Sequence, residues 1–233
     1  MYFYQWMKPV VTENIGRRVW TNAFSHAVFF RISILIACFS CLGGCAGWNY
    51  KPANPDNICT IFGENEYWYK TAEKAFARWR IPIPVLMAIM YQESKYQSDA
   101  KPPRTTCLFF FPGPRPSSAY GYSQALDGTW KKYKQETGNW GADRDDFGDA
   151  IDFIGWYCLK SHQQCKIAVN DAYNMYLAYH EGQNGFLRKT HQKKNNLKAT
   201  ARGVKQKAAI YASQLASCEK RLKERCRCCL WPF

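Results

Sequence analysis

Apolar and polar positions along this chain repeat with the period of a helix. Over residues 64–80, Tyr67, Trp68, Ala72, Ala75, Phe76 and Trp79 recur at three- and four-residue spacing, which predicts an amphipathic helix. Ile81-Pro82-Ile83-Pro84 ends it, because proline is excluded from a helix interior but accepted in a first turn, so a second helix starts there. In that second helix Leu86, Ile89 and Met90 precede Glu93 by seven, four and three residues, which places one carboxyl along an apolar stripe. Further helices are expected near 123–136, 145–161 and 168–179, with a long basic one over 197–225. Strand-like alternation is nearly absent and no internal repeat suggests a solenoid, so the fold class is mainly α.

A Pro-rich loop over 101–118 interrupts the helices, carrying Cys107 and the apolar run Leu108-Phe109-Phe110-Phe111. A loop of that length in a compact domain is either functional or a flap over the core, and the pattern leaves both open. With 233 residues, 47% hydrophobic and 16% aromatic, the chain fills one core and falls short of two, so one domain is expected, acting as a monomer.

The N-terminal pattern bears on compartment. Lys8, Arg17, Arg18 and Arg31 precede the apolar run 32–41, which ends in Leu42-Gly43-Gly44-Cys45. A basic region, a short apolar core and small residues describe an export signal. The run is shorter than the about 20 residues a membrane-spanning helix needs. Leu42-Gly43-Gly44-Cys45 also resembles a bacterial lipobox, which implies lipidation of Cys45 and, with Ala46 following, a periplasmic protein anchored at the outer membrane; a cleaved soluble signal or an uncleaved anchor is the alternative. The expected organisation is a signal over 1–45, a tether over 46–62 marked by Pro52 and Pro55, a helical domain over 63–225 and a Cys-rich tail over 226–233.

Export makes the cysteines intelligible. Of 11, Cys38, Cys41 and Cys45 fall in the signal, leaving an even set that reads as disulfides in an oxidising compartment. Cys158 and Cys165 are expected to close a short loop between helices. The Cys226-Arg227-Cys228-Cys229 cluster has no His at a zinc spacing, so no metal is expected. His180-Glu181 also fails the zinc-protease pattern, because position 184 is Asn. No Gly-rich phosphate loop or nucleophile elbow is present.

The formal charge of +14 points to an anionic partner. The excess is spread over the second half of the chain with no nucleic-acid reading motif beside it, so nucleic acid is not expected.

Glu93 carries the chemistry. Desolvation on an apolar face favours the neutral carboxyl, and an acid still protonated near neutral pH can protonate a leaving group. Glycosidic cleavage usually employs a second carboxylate, but only one is obviously placed. Glu181, just before Gly182, reads as a solvated end of a helix.

Glu93-Ser94 ends one helix, Gly121-Tyr122-Ser123-Gln124 opens another, and Ala178-Tyr179-His180-Glu181-Gly182 closes a third. In this order the segments resemble the soluble lytic transglycosylases, relatives of goose-type lysozymes, whose pattern is a catalytic Glu-Ser pair, a Gly-Leu-Met-Gln-like segment and an Ala-Tyr-Asn-Ala-Gly-like segment. The resemblance covers about 66–188. It implies a lysozyme-like helical domain, no cofactor, and peptidoglycan glycan strands as partner. It also implies that Glu93 acts as acid and then as base, assisted by the sugar's acetamido group, to give a 1,6-anhydro product.

By the same resemblance Tyr179 orients Glu93 or the acetamido group, Gln124 forms a hydrogen-bonding wall, Ser94 positions substrate, and Gly121 and Tyr122 belong to the sugar site. Two departures bear on substrate preference: Tyr122-Ser123 stands in place of Leu-Met, and His180-Glu181 in place of Asn-Ala. A hydrolase that adds water, and a wall-binding protein without turnover, are the competing readings. The basic residues Lys193, Lys194, Lys198, Arg202, Lys205 and Lys207 either hold the protein against an acidic wall or form a solvated helix face.

Overall fold

The computed structural model describes residues 50–107 and 111–228. The expected signal over 1–45 with Cys45, residues 46–49 of the expected tether, residues 108–110 of the loop and the tail from 229 lie outside the described residues. Helices α1 (Ile58–Glu64), α2 (Glu66–Trp79) and α3 (Ile83–Ser94) are followed by a short antiparallel ribbon, β1 (Thr106–Cys107) and β2 (Phe111–Pro112). Helices α4 (Asp127–Thr137), α5 (Phe147–Cys165), α6 (Ala172–Leu187) and α7 (Asn195–Cys228) complete the domain, with a 3-10 turn at Thr190–Lys193 before α7. The fold is mainly helical, as the pattern predicts.

Helix α3 is the centre. Pro84 sits in its first turn, and Ile83, Val85, Leu86, Met87, Ala88, Ile89 and Met90 are all buried. The stripe expected from spacing is therefore a helix apolar nearly all round, as suits an element enclosed by its neighbours. Those neighbours are α2, α5, α6 and α7. Each fully buried Leu, Ile or Met contributes roughly 1.5–3 kcal/mol relative to exposure, which anchors the end of α3 that carries Glu93. An aromatic cluster continues the core, with Trp68 stacked on Phe147 at 3.9 Å and Trp130, Tyr133, Phe153 and Trp156 packed around one another.

Four expectations shift. Residues 58–62, read as tether, form most of α1: Asn57 caps it by accepting from the Cys59 and Thr60 amides, and Ile58, Ile61 and Phe62 are buried. Residues 123–126 are not helical, because Gln124 takes a left-handed φ of 50° and α4 begins only at Asp127. Helix α6 starts at the Asp171 cap and continues past Tyr179 to Leu187, bending at Gly182. Cys158 and Cys165 are free and lie on the same helix, two turns apart, a rise of about 10 Å that no disulfide spans. The disulfide among the described residues joins Cys59 of α1 to Cys218 of α7.

Candidate active site

Glu93 stands in the last turn of α3, which Lys95 closes in left-handed geometry with its N–H donating to the Tyr91 carbonyl. Its carboxyl keeps some contact with solvent, yet protein crowds it closely enough for desolvation to dominate. That burial raises its pKa to about 7, against the smaller opposing influence of the Tyr176 hydroxyl and the Lys95 charge. Tyr176 comes from α6 and lies close enough to the carboxyl for its hydroxyl to favour the ionised form. Burial, and then the charge of Glu93, push the Tyr176 phenol well above its ordinary range, so it remains protonated.

Tyr179, one turn further along α6, makes a tighter contact elsewhere. Its hydroxyl donates to the Ser123 carbonyl at 2.7 Å, while its ring packs against Tyr157 and Phe153. Burial and the nearby Glu93 raise its pKa too, so it lies within the electrostatic reach of that carboxyl. The two tyrosines thus divide the labour: Tyr176 addresses Glu93, and Tyr179 ties α6 to the 121–124 turn.

That turn is held from three sides. Gly121 has φ +76°, and a Cβ there would lie 2.0 Å from the Arg144 carbonyl oxygen, so only glycine fits. The Gly121 amide donates to the Ala100 carbonyl and the Tyr122 amide to the Arg144 carbonyl, at 3.0 and 3.1 Å. The Gln124 side chain donates through Nε2 to the carbonyls of Ala100 and Gly121, both at 2.9 Å. Arg144 adds bonds to the Ser118 and Ala125 carbonyls and an ion pair with Asp127.

The other expected site residues are placed as follows. Ser94 is buried and its hydroxyl donates to the Met90 carbonyl of its own helix. Tyr122 is turned into the core at 4% exposure, edge-on to Trp68 and Phe147. Ser123, which stands where the resembled pattern has methionine, is fully buried, with no partner for its hydroxyl among the described residues. Such a group costs roughly 1–3 kcal/mol.

Glu181 is not solvated. Its side chain is 5% exposed and meets Lys194 at 2.7 Å, His180 at 3.0 Å, and the Thr190 hydroxyl. Burial works to raise its pKa, but the hydrogen bonds from Lys194, Thr190 and His180 overcome this and hold the carboxyl down to about 2. It is a fixed anion and transfers no proton near neutral pH. Among the described residues, no group of His, Cys, Asp and Glu is arranged to hold a metal ion.

Tyr176 was not among the residues that the sequence pattern singles out. Its signal was available: it precedes Tyr179 by three positions and therefore shares its helix face. The arrangement is one proton-holding carboxyl near neutrality, a phenol directed at it, and a rigid turn tied in by a second phenol.

A comparison with curated proteins finds no match. The family described as Transglycosylase SLT domain does match, over residues 33–218, which takes in α1 to α6 and most of α7. The match covers more than half of the chain, and the chain belongs to the transglycosylase SLT domain family.

Proposed function

We propose that this protein is a peptidoglycan lytic transglycosylase that cleaves the β-1,4 bond between N-acetylmuramic acid and N-acetylglucosamine, with Glu93 as both acid and base. The observation that carries the reading is the Glu93 pKa of about 7, which leaves comparable populations of acid and carboxylate at neutral pH. In the first step the Glu93 carboxylic acid gives its proton to the glycosidic oxygen. The bond from C1 to that oxygen breaks, and the muramic acid's own acetamido oxygen shields C1. In the second step the Glu93 carboxylate takes the proton of the C6 hydroxyl as O6 bonds to C1. Glu93 ends protonated and no water is consumed.

Glu181 supports a single-carboxyl mechanism, because its ion pair with Lys194 withholds it from proton transfer. Tyr176 donates to the ionised form of Glu93 between the two steps. Glu93→Gln removes the transferable proton while keeping the shape of the side chain. Purified walls treated with that variant should release no fragments, whereas the native protein should yield products one water lighter than hydrolysis would give. Wall lysis by Glu93→Gln sinks the assignment, and products that carry the added water convert it to a hydrolase.

The same reading places the protein in the periplasm, held through lipidated Cys45 at the outer membrane. A disulfide between Cys59 and Cys218 suits an oxidising compartment. Cys45→Ala should move the protein from the membrane fraction to the soluble one, and an unchanged distribution refutes the anchor.

A further inference from the structure

On the face of α3 turned towards α7, Ala88, Tyr91 and Gln92 line a shallow groove of about 250 Å3 opposite Gly203, Val204 and Lys207. Small residues keep it open: Ala88 presents only a methyl, and nothing lies within 4 Å of where a Gly203 side chain would begin. The groove is smaller than the roughly 300 Å3 at which pockets enclose a drug-sized ligand, so it suits one end group of a longer chain.

The charges around it are unusual. Lys95 and Lys207 both place their ammonium groups over the Tyr91 ring, 4.2 and 4.3 Å from its centroid. Two cations sharing one ring repel each other. Lys207 is met by Asp56, but among the described residues Lys95 has only a 3.5 Å hydrogen bond to the Gln92 side-chain oxygen. Burial, followed by the Lys207 charge, lowers the proton affinity of Lys95, while the Glu93 charge opposes this. Among the described residues the Tyr91 hydroxyl has no hydrogen-bond partner. Donors therefore outnumber acceptors here, as they do at a site that awaits an anion.

Lys95 follows Glu93 by two residues and is coupled to it electrostatically. That link puts the pair of cations near the carboxyl to which a glycan strand must present its glycosidic oxygen. We propose that Lys95, Lys207 and Tyr91 form a binding site for a carboxylate of the peptide stem on the glycan being cleaved. The inference rests on the proposed function, because the stem arrives only with the strand. Lys95 and Lys207 take the charge, and the Tyr91 hydroxyl donates to the remaining oxygen.

The test compares peptide-bearing glycan strands with strands from which an amidase has removed the peptides, leaving the lactyl carboxylates in place. Lys95→Gln and Lys207→Gln should each raise KM for peptide-bearing strands about three- to tenfold more than KM for denuded strands. Lys207→Gln should leave kcat within about twofold, whereas Lys95→Gln, which also removes a charge that acts on Glu93, should change kcat by the same factor on both kinds of strand. Binding of a soluble disaccharide peptide to the Glu93→Gln protein should weaken to the same degree on adding either substitution, and on amidating the peptide's carboxylates. Thermal melts identify a Lys207 variant that has lost packing, in which case the Lys95 variant decides.

Equal losses on both kinds of strand overturn the stem site, pointing to the lactyl carboxylate or to an effect of Lys95 on Glu93 alone. Unchanged KM on both also overturns it. The peptide-binding arm is independent of turnover, so its failure with Glu93→Gln still inactive refutes this site and spares the catalytic reading, and the converse holds equally.

Discussion

Three influences set the proton affinity of Glu93, and they differ in sign. Desolvation favours the neutral acid and dominates, whereas the Tyr176 hydroxyl and the Lys95 ammonium favour the anion. An acid that must later serve as base gains from this balance, since a carboxyl held wholly neutral would not accept the C6 proton. Tyr176→Phe removes one of the two counterweights, so the Glu93 pKa rises from its value of about 7. The first step needs protonated Glu93, and its rate falls as pH climbs through that pKa. In the Tyr176→Phe protein the alkaline limb of kcat/KM should therefore move to higher pH, by up to about one unit. Meanwhile kcat falls on the order of tenfold, because the carboxylate intermediate has lost a donor. Steady-state kinetics from pH 5 to about 9 check this; a lower rate with the limb unmoved would make Tyr176 a spacer and nothing more.

At the scale of elements, what was legible depended on whether the cause was local. Helix α3 could be read from Pro84 and the apolar run, because proline in a first turn and buried side chains act within a few residues. The crowded position of the Glu93 carboxyl at the end of that helix was legible for the same reason. The 121–124 segment was read as the start of a helix, yet it is a turn whose shape depends on Ala100 and Arg144, each about twenty residues away in the chain. Glu181 was misread similarly. Gly182, with φ 73° and ψ 157°, bends α6 instead of ending it, and Thr190 and Lys194 return to enclose the carboxyl. Spacing along one helix cannot reveal a cation supplied by the segment that follows it. The proposed pairing of Cys158 with Cys165 failed because α5 carries through both positions, which only the packing of Phe153, Trp156 and their neighbours decides.

At the scale of the whole domain, a covalent link joins distant parts of the chain. The Cys59–Cys218 disulfide spans a separation of 159 residues and fastens α1, at the entrance to the domain, to the long α7. Gln214, one turn before Cys218, reinforces the junction: its side chain accepts from the Ile58 amide and donates to the Asp56 carbonyl. Closing so large a loop removes conformational freedom from the unfolded chain, worth roughly 4–5 kcal/mol in the chain-entropy account, of which measured disulfides deliver about 2–4. A Cys59→Ser/Cys218→Ser protein should therefore melt on the order of 5–15 °C below the native one. Calorimetry with and without a thiol reductant separates the cross-link from the packing it accompanies. Reductant should bring the native protein down to the melting temperature of the double variant and leave the variant where it is. Glu93 stands on α3, which α7 packs directly, so wall cleavage at moderate temperature should survive reduction while activity after heating should not. If the reduced native protein melts unchanged, α1 is held by Ile58, Ile61, Phe62 and Gln214 instead, and the cross-link contributes nothing beyond the contacts around it.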